Sequence, residues 1–169
     1  MQNYSSSGTS INKNKLPVLF GKILDKLPDK ATVFDYGCGK YTAHIRNAVE
    51  KAGCRYLPYD PYNQPQEVNE DSRRWALFSR LAGHPVIVTC SNVLNVIDDD
   101  STICEIIDDM RSIGNRTVVT VYEGDGKGIG RQTGPDSYQR NMKLKTYIPL
   151  IEKAGAKNVH AGNGMIVFD

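Results

Sequence analysis

Two glycines separated by one residue follow an acidic residue early in the chain, and this group is the first that could do chemistry. The segment reads Asp35-Tyr-Gly37-Cys38-Gly39. Glycine lets the backbone approach a ligand closely, and a helix that begins just after such a turn directs N–H groups and the positive end of its dipole toward negative charge. A tight turn that only packs a strand against a helix is the alternative, because Gly-x-Gly alone is a weak signal.

Further polar residues follow three later apolar runs. Asp60 comes directly after a run that ends at Tyr59, and a carboxylate accepts hydrogen bonds from two adjacent hydroxyls. Asn92 and Asn95 follow the next run, where an asparagine is as well suited to capping a helix or forming a turn as to contacting a ligand. A Gly-rich loop over 123–141 follows the last run; loops this long are usually functional or mobile.

The elements that must position these residues are indicated by hydrophobic periodicity. Four apolar runs predict strands, and a Gly-Asn-Gly turn near the end predicts a hairpin. Amphipathic stripes closed by glycine or proline predict helices between them. The predicted strands cover 31–36, 55–59, 85–90, 116–122, 157–161 and 165–168, and the predicted helices cover about 16–27, 41–52, 68–81, 98–113 and 146–154.

Alternating strands and helices predict the fold class. With 169 residues the chain has room for one domain. We predict an α/β fold, a single Rossmann-like, doubly wound domain over 16–169 with a mostly parallel sheet and a C-terminal antiparallel hairpin. Residues 1–15 lack a hydrophobic period and predict a flexible N-terminal arm. Ligands of such folds bind beyond the carboxyl ends of the strands.

Composition excludes several classes of partner and site. The 21 basic and 19 acidic residues leave a net charge of +2, which does not indicate nucleic acid or an anionic membrane as a partner. No apolar run reaches the roughly 18 residues that crossing a bilayer requires, and the N-terminus does not resemble a signal peptide, so we expect a cytoplasmic protein. The four cysteines and three histidines have no metal-ligand spacing, so we expect free thiols and no metal. The oligomeric state is not indicated.

Three classes of ligand use a glycine turn after a strand. A phosphate-binding loop needs glycine at position 34 and Ser or Thr at 41, but these are Phe34 and Tyr41. A dinucleotide-binding loop needs glycine in place of Thr42, so the sequence matches this motif only in part.

The third class of ligand fits these residues better than the first two. Asp35-Tyr-Gly-Cys-Gly39 resembles motif I of the class I S-adenosylmethionine-dependent methyltransferases, an acid at the end of the first strand followed by Gly-x-Gly. Tyr59-Asp60 matches the family's acid after the second strand, and 91–96 looks like its motif IV region. The resemblance spans 32–169, and similar YGCG, YDP and NVLNVI segments occur in compact bacteriophage proteins.

The resemblance implies S-adenosylmethionine as the cofactor and methyl transfer to a small-molecule, nucleotide or nucleic-acid acceptor. In the family's pattern Asp35 would hold the amino end of the methionine moiety, Asp60 the ribose hydroxyls, and Asn92 the reacting end. The implied cofactor-binding residues are Asp35, Gly37, Cys38, Gly39, Asp60 and Asn92. For the acceptor we predict contacts from Asn95, Arg131 and Tyr138; a loop whose polar residues do nothing specific is the alternative for the last two.

The sequence departs from the family at two places. Tyr41 replaces the third glycine of motif I, and the usual strand between motifs II and IV is not visible over 67–83. The segment 91–95 also lacks the Asn/Asp-Pro-Pro-Tyr signature of amino-methylating DNA enzymes, and no catalytic residue is singled out. A non-catalytic or regulatory S-adenosylmethionine-binding protein is therefore the alternative, and a nicotinamide oxidoreductase is a third hypothesis.

Overall fold

A computed structural model describes residues 3–10 and 13–169 of the chain. Within these ranges six strands form one sheet and two form a separate hairpin. In chain order the strands are β1 (Thr32–Tyr36), β2 (Arg55–Tyr59), β3 (Val86–Ser91), β4 (Arg116–Thr120), β5 (Arg131–Gly134), β6 (Ser137–Gln139), β7 (His160–Gly162) and β8 (Met165–Phe168). The hairpin consists of β5 and β6.

The large sheet has the strand order β2-β1-β3-β4-β8-β7. The first four strands of that order are parallel, whereas β8 runs antiparallel to β4 and β7 antiparallel to β8. From β2 at the edge the chain returns to β3 on the other side of β1, so the strand order reverses between β1 and β3. Ligands of open α/β sheets bind at such a reversal, at the carboxyl ends of the strands.

In the described residues, five α-helices pack against this sheet in two hydrophobic clusters. Neighbouring residues of a strand point to opposite faces, and accordingly Val33 belongs to one cluster and Phe34 to the other. The helices are α1 (Val18–Ile23), α2 (Ala43–Lys51), α3 (Gln66–Leu81), α4 (Asp100–Ile113) and α5 (Ile148–Lys153). The first two supply residues to the Val33 cluster and the other three to the Phe34 cluster, so apolar side chains cover the sheet on both faces.

The predicted helix ends are clearest in α4. The Asp99 side chain accepts a hydrogen bond from the Thr102 backbone N–H at 2.8 Å, as an N-cap does, and Gly114 follows the last turn. Helix α1 is shorter than the helix predicted over 16–27, because the chain tightens into a 3-10 turn over Leu24–Lys26 before Pro28. In the described part of the chain, no helix is both long enough and apolar enough to cross a membrane.

The main difference from the sequence prediction lies in the segment 123–141. It was predicted as a loop, but it contains the hairpin β5–β6. Its strands are short, polar and mostly exposed, so they lack the apolar alternation that indicates a strand. The turn residues between them, Gly134-Pro135-Asp136, were the signal that could have found the hairpin. Elsewhere the prediction of an α/β fold with a mostly parallel sheet and an antiparallel C-terminal hairpin is confirmed.

Candidate functional site

A cavity of about 920 Å³ lies at the carboxyl ends of the parallel strands. Such volumes fall within the range of roughly 300–1,000 Å³ that is usual for small-ligand sites. All of the residues predicted for cofactor or acceptor binding line this one cavity. They are Asp35, Gly37, Cys38, Gly39, Asp60, Asn92, Asn95, Arg131 and Tyr138.

The two glycines after β1 are required by both backbone angle and space. Gly37 has φ of 75° and Gly39 has φ of 73°, the left-handed region that side chains rarely adopt. A Cβ at Gly37 would lie 2.3 Å from Val93 Cγ2, and one at Gly39 would lie 2.1 Å from Ser10 Oγ. The pair therefore allows close approach from two different segments of the chain.

The backbone N–H groups of residues 37–40 all donate hydrogen bonds within the protein. The first two donate to the Tyr59 carbonyl at 2.7 and 3.1 Å. The third donates to the Asp60 carboxylate at 2.9 Å and the fourth to the Ser10 hydroxyl at 2.8 Å. Because a phosphate cradle needs such groups free, this loop is not arranged to bind a phosphate or a pyrophosphate.

Asp60 holds the turn after β2 together. Its carboxylate accepts from the backbone N–H groups of Gly39, Tyr62 and Asn63 at 2.9 Å each, and from Asn63 Nδ2 at 3.2 Å. These bonds use about four acceptor sites, which is the capacity of a carboxylate. A ligand hydroxyl therefore reaches Asp60 only by replacing a donor, and the Asn63 side chain makes the longest of the four bonds.

Asp35 is a buried carboxyl group between two neighbouring strands. The register places it opposite Thr89 on β3, whose hydroxyl donates to Oδ1 at 2.9 Å, while the Tyr56 hydroxyl donates to Oδ2 at 2.7 Å. Burial raises the pKa of Asp35 to about 6, although both hydrogen bonds favour the charged form. Burial and the nearby Asp35 also raise the pKa of Tyr56, so this phenol remains a donor at neutral pH.

Cys38 lines the cavity between the two glycines, but it is not activated as a nucleophile. Burial, together with the nearby Asp35 and Asp60 carboxyl groups, raises the pKa of its thiol. Nucleophilic cysteines need the thiolate, which positive neighbours favour. In this position Cys38 is a neutral side chain that fills the loop.

The two asparagines after β3 differ in their surroundings. Asn92 is exposed, adopts φ of 58°, and donates its backbone N–H to the Thr120 carbonyl at 2.9 Å. Asn95 is buried, and its Nδ2 donates to Gln139 Oε1 at 3.0 Å. Gln139 Nε2 in turn donates to the Tyr122 carbonyl at 2.9 Å. Because a carbonyl can only accept, this series of hydrogen bonds fixes the orientation of both side-chain amides. Gln139 was not among the predicted site residues.

The hairpin β5–β6 brings Arg131 and Tyr138 to the cavity. Arg131 is exposed at the start of β5, and the Tyr138 ring on β6 stacks on Tyr4 with centroids 5.7 Å apart. The predicted pair therefore lines the cavity from one hairpin, and segment 3–10 contacts both this hairpin and the glycine loop.

Residues 3–10, which we call the N-terminal strap, form a further wall of the cavity. They belong to the arm predicted to be flexible; residues 1, 2, 11 and 12 of that arm lie outside the described residues. The strap residues that line the cavity are Ser5, Ser6, Ser7, Thr9 and Ser10. No hydrophobic period marks this segment, so the sequence offered no signal that it contacts the site.

Negative charge predominates in the cavity. Among the described residues that line it, the charged side chains are three aspartates, Asp35, Asp60 and Asp125, and one arginine, Arg131. Charge complementarity therefore favours a ligand that carries positive charge over one that carries several phosphates.

No protein-family model matches this chain, and no curated protein shows significant similarity to it.

Proposed function

We propose that this protein is an S-adenosylmethionine-dependent methyltransferase that binds its cofactor in the cavity at the carboxyl ends of β1–β3 and acts on a small acceptor. The strand order, with its reversal beside β1, and helices packed in two clusters are compatible with a Rossmann-like, doubly wound fold. Residues at the end of β1 and after β2 meet in the cavity, as the family resemblance requires.

The observation that carries the proposal is the charge of the cavity combined with the closed glycine loop. S-adenosylmethionine bears a sulfonium and an ammonium against one carboxylate, so its net charge is positive. The three aspartates complement that charge, whereas a dinucleotide presents a pyrophosphate. The N–H groups of residues 37–40, which would have to receive that pyrophosphate, already have partners in the protein. Both facts disfavour the nicotinamide hypothesis.

The residues of the site fit the cofactor in separate roles. Gly37 and Gly39 line the cavity and give the loop its left-handed backbone, Asp35 supplies negative charge at the end of β1, and Asp60 accepts from ribose hydroxyls when they displace the Asn63 amide. When bound, the cofactor would supply a methyl group on a sulfonium sulfur, and the neutral thioether S-adenosylhomocysteine would be the leaving group. The protein's own contribution is to orient the acceptor in line and to exclude water.

Binding without transfer is the second candidate function. The observation that favours it concerns the groups able to take a proton from an acceptor. Cys38 is held as a thiol, both Asp35 oxygens have protein donors, and no histidine is among the described residues that line the cavity. An acceptor that is already a good nucleophile needs no such base.

Calorimetry on the full chain tests cofactor binding. We expect one site for S-adenosylmethionine and no binding of NADH under the same conditions. Asp60→Asn places an amide N–H₂ against donors and should weaken binding at least tenfold. Asp71→Asn removes the same charge from the exposed surface of α3 and should bind like the parent protein. Absence of binding by the parent protein would reject the proposal.

Transfer is tested separately from binding. The protein is incubated with methyl-labelled cofactor and panels of small amines, thiols, phenols and nucleosides, and S-adenosylhomocysteine is quantified by mass spectrometry. Acceptor-dependent formation of S-adenosylhomocysteine supports the methyltransferase. Tight binding with the cofactor recovered intact across the panel would favour the second candidate.

A further inference from the structure

We propose that the N-terminal strap, residues 3–10, is the lid of the cavity: it forms one wall of the ligand site and has to detach before a ligand passes in or out. The identity of that ligand rests on the proposed function, but the lid itself does not. The strap contacts three segments around the cavity: the hairpin β5–β6, the segment after β3 and the loop after β1.

The first attachment is to the hairpin. The Ser5 N–H donates to Asp136 Oδ1 at 2.9 Å and its hydroxyl donates to Oδ2 of the same carboxylate. The Ser6 N–H donates to the Asp136 carbonyl at 2.9 Å, and the Tyr138 N–H donates to the Ser6 hydroxyl at 3.2 Å. The bonds from Ser5 also lower the pKa of the exposed Asp136 carboxyl. Asp136 is therefore the anchor of the strap on this side.

The other attachments are to the segment after β3, which itself contacts the hairpin, and to the glycine loop. The Ser6 hydroxyl donates to the Val96 carbonyl at 3.2 Å, and the Asn3 N–H donates to Asp98 at 3.0 Å; both partners follow β3. At its far end the strap reaches the glycine loop, where the Ser10 hydroxyl accepts from the Lys40 N–H at 2.8 Å. The strap thus bridges the hairpin, the segment after β3 and the loop after β1.

The attachments of the strap are weak, as expected for a segment that opens. Hydrogen bonds of serine and asparagine and the stacking of Tyr4 on Tyr138 hold the strap, and only Ser6 among residues 3–10 is buried. A single hydrogen bond contributes little net stability, and segments with few buried apolar contacts open at low free-energy cost. The sheet and helices beneath are instead held by two apolar clusters. Opening of the strap therefore does not require the body to unfold.

A first experiment needs no ligand. Cys38 lines the cavity, so its alkylation by N-ethylmaleimide, followed peptide by peptide by mass spectrometry, reports access past the strap. Asp136→Ala removes both Ser5 bonds and should raise the Cys38 rate on the order of tenfold, with Asp136→Asn intermediate. Cys104, which lies outside the cavity lining, is the internal reference. Glu105→Ala removes an exposed carboxylate from α4 and should leave the Cys38 rate unchanged.

Amide hydrogen exchange on the same proteins identifies the moving part. Faster exchange in the strap peptide of Asp136→Ala, with the peptides of β1 and β3 unchanged, is expected. If the Cys38 rate and the strap exchange are both unaffected by Asp136→Ala and by Ser5→Ala, the strap is not a lid.

A second experiment measures exchange of the cofactor. Dissociation of S-adenosylmethionine, followed by displacement with unlabelled cofactor, should be about tenfold faster from Asp136→Ala than from Glu105→Ala. The two proposals fail separately. Faster Cys38 alkylation without any cofactor binding keeps the lid and rejects S-adenosylmethionine as its ligand. Cofactor binding whose dissociation rate is the same in Asp136→Ala and the parent protein rejects the lid and keeps the proposed function.

Discussion

The backbone N–H of Gly39 donates a hydrogen bond to the Asp60 carboxylate across 2.9 Å and thereby joins the loop after β1 to the turn after β2. The same carboxylate holds the N–H groups of Tyr62 and Asn63. A residue proposed to bind the ribose is thus also the residue that shapes the turn beside it. Both ribose binding and the shape of the turn depend on the acceptor oxygens of Asp60. Asp60→Asn should therefore weaken binding and also lower the free energy of unfolding by about 1–3 kcal/mol. Urea titration measures this loss, and an unchanged unfolding midpoint would contradict it.

Substitution of Gly37 should cost more stability than substitution of a glycine with the same backbone angle in open space. Gly53 has φ of 77° with no atom within 4 Å of a built Cβ, so Gly53→Ala should cost only the angle, about 1–2 kcal/mol. Gly37→Ala also drives a Cβ against Val93 and should cost about 1–3 kcal/mol more. Adding Val93→Ala to Gly37→Ala should recover part of that excess in urea titrations. Equal losses of stability in Gly37→Ala and Gly53→Ala would contradict the prediction and show that the loop at Gly37 rearranges without cost.

The buried Asp35 carboxyl should make the protein less stable as pH rises. Its pKa is about 6 when folded against an ordinary value of 3.8, so the contribution of this group is fully present below about pH 4 and is lost as pH rises through 6. Asp35→Asn keeps a partner for Tyr56 and for Thr89 and should be more stable than the parent by about 3 kcal/mol at pH 8. The difference between the two proteins, measured by urea unfolding from pH 4 to 8, should grow between pH 4 and 6. A difference independent of pH would refute the shifted pKa.

The amide chain from Asn95 through Gln139 to the Tyr122 carbonyl should be sensitive to a single atom. Gln139→Glu keeps the acceptor for Asn95 but sets an oxygen against the Tyr122 carbonyl, and should lower stability by about 1–3 kcal/mol at pH 7. Gln132→Glu makes the same change at an exposed position of β5 and should cost within about 0.5 kcal/mol. Thermal unfolding of the two variants side by side checks the comparison. A loss as large in Gln132→Glu would mean that charge, not the amide chain, is responsible.

Opposite charge changes at two exposed residues that line the cavity should shift cofactor affinity in opposite directions. Asp125→Asn removes negative charge and should weaken S-adenosylmethionine binding two- to fivefold, while Arg131→Gln should strengthen it by a similar factor. Both side chains are exposed, so the two effects should shrink as salt is raised. Calorimetry at low and at high salt measures them. A shift of the same sign in both variants would exclude an electrostatic cause.

Much of the fold was predictable because its signals are local. The strand β2 has the predicted bounds, and α4 has its acidic cap directly before its first residue and its closing glycine directly after its last. The hairpin over 131–139 was missed because its strands are polar and its turn sequence was not weighed. Gln139 was not predicted either, since nothing in one sequence pairs it with Asn95.

The sequence by itself determined that the acids at the ends of the first two strands lie at one edge of the sheet. Apolar runs that end in Asp35 and Asp60 dictate parallel strands with those acids at one edge, because period and burial are properties of contiguous residues. Only the tertiary structure decided how these residues are engaged. Strand register sets Thr89 against Asp35, the turn after β2 fills the acceptor sites of Asp60, and the strap places Ser10 on the Lys40 N–H. Hydrogen bonds between residues distant in the chain depend on distances of a few tenths of an ångström, and those distances exist only after packing.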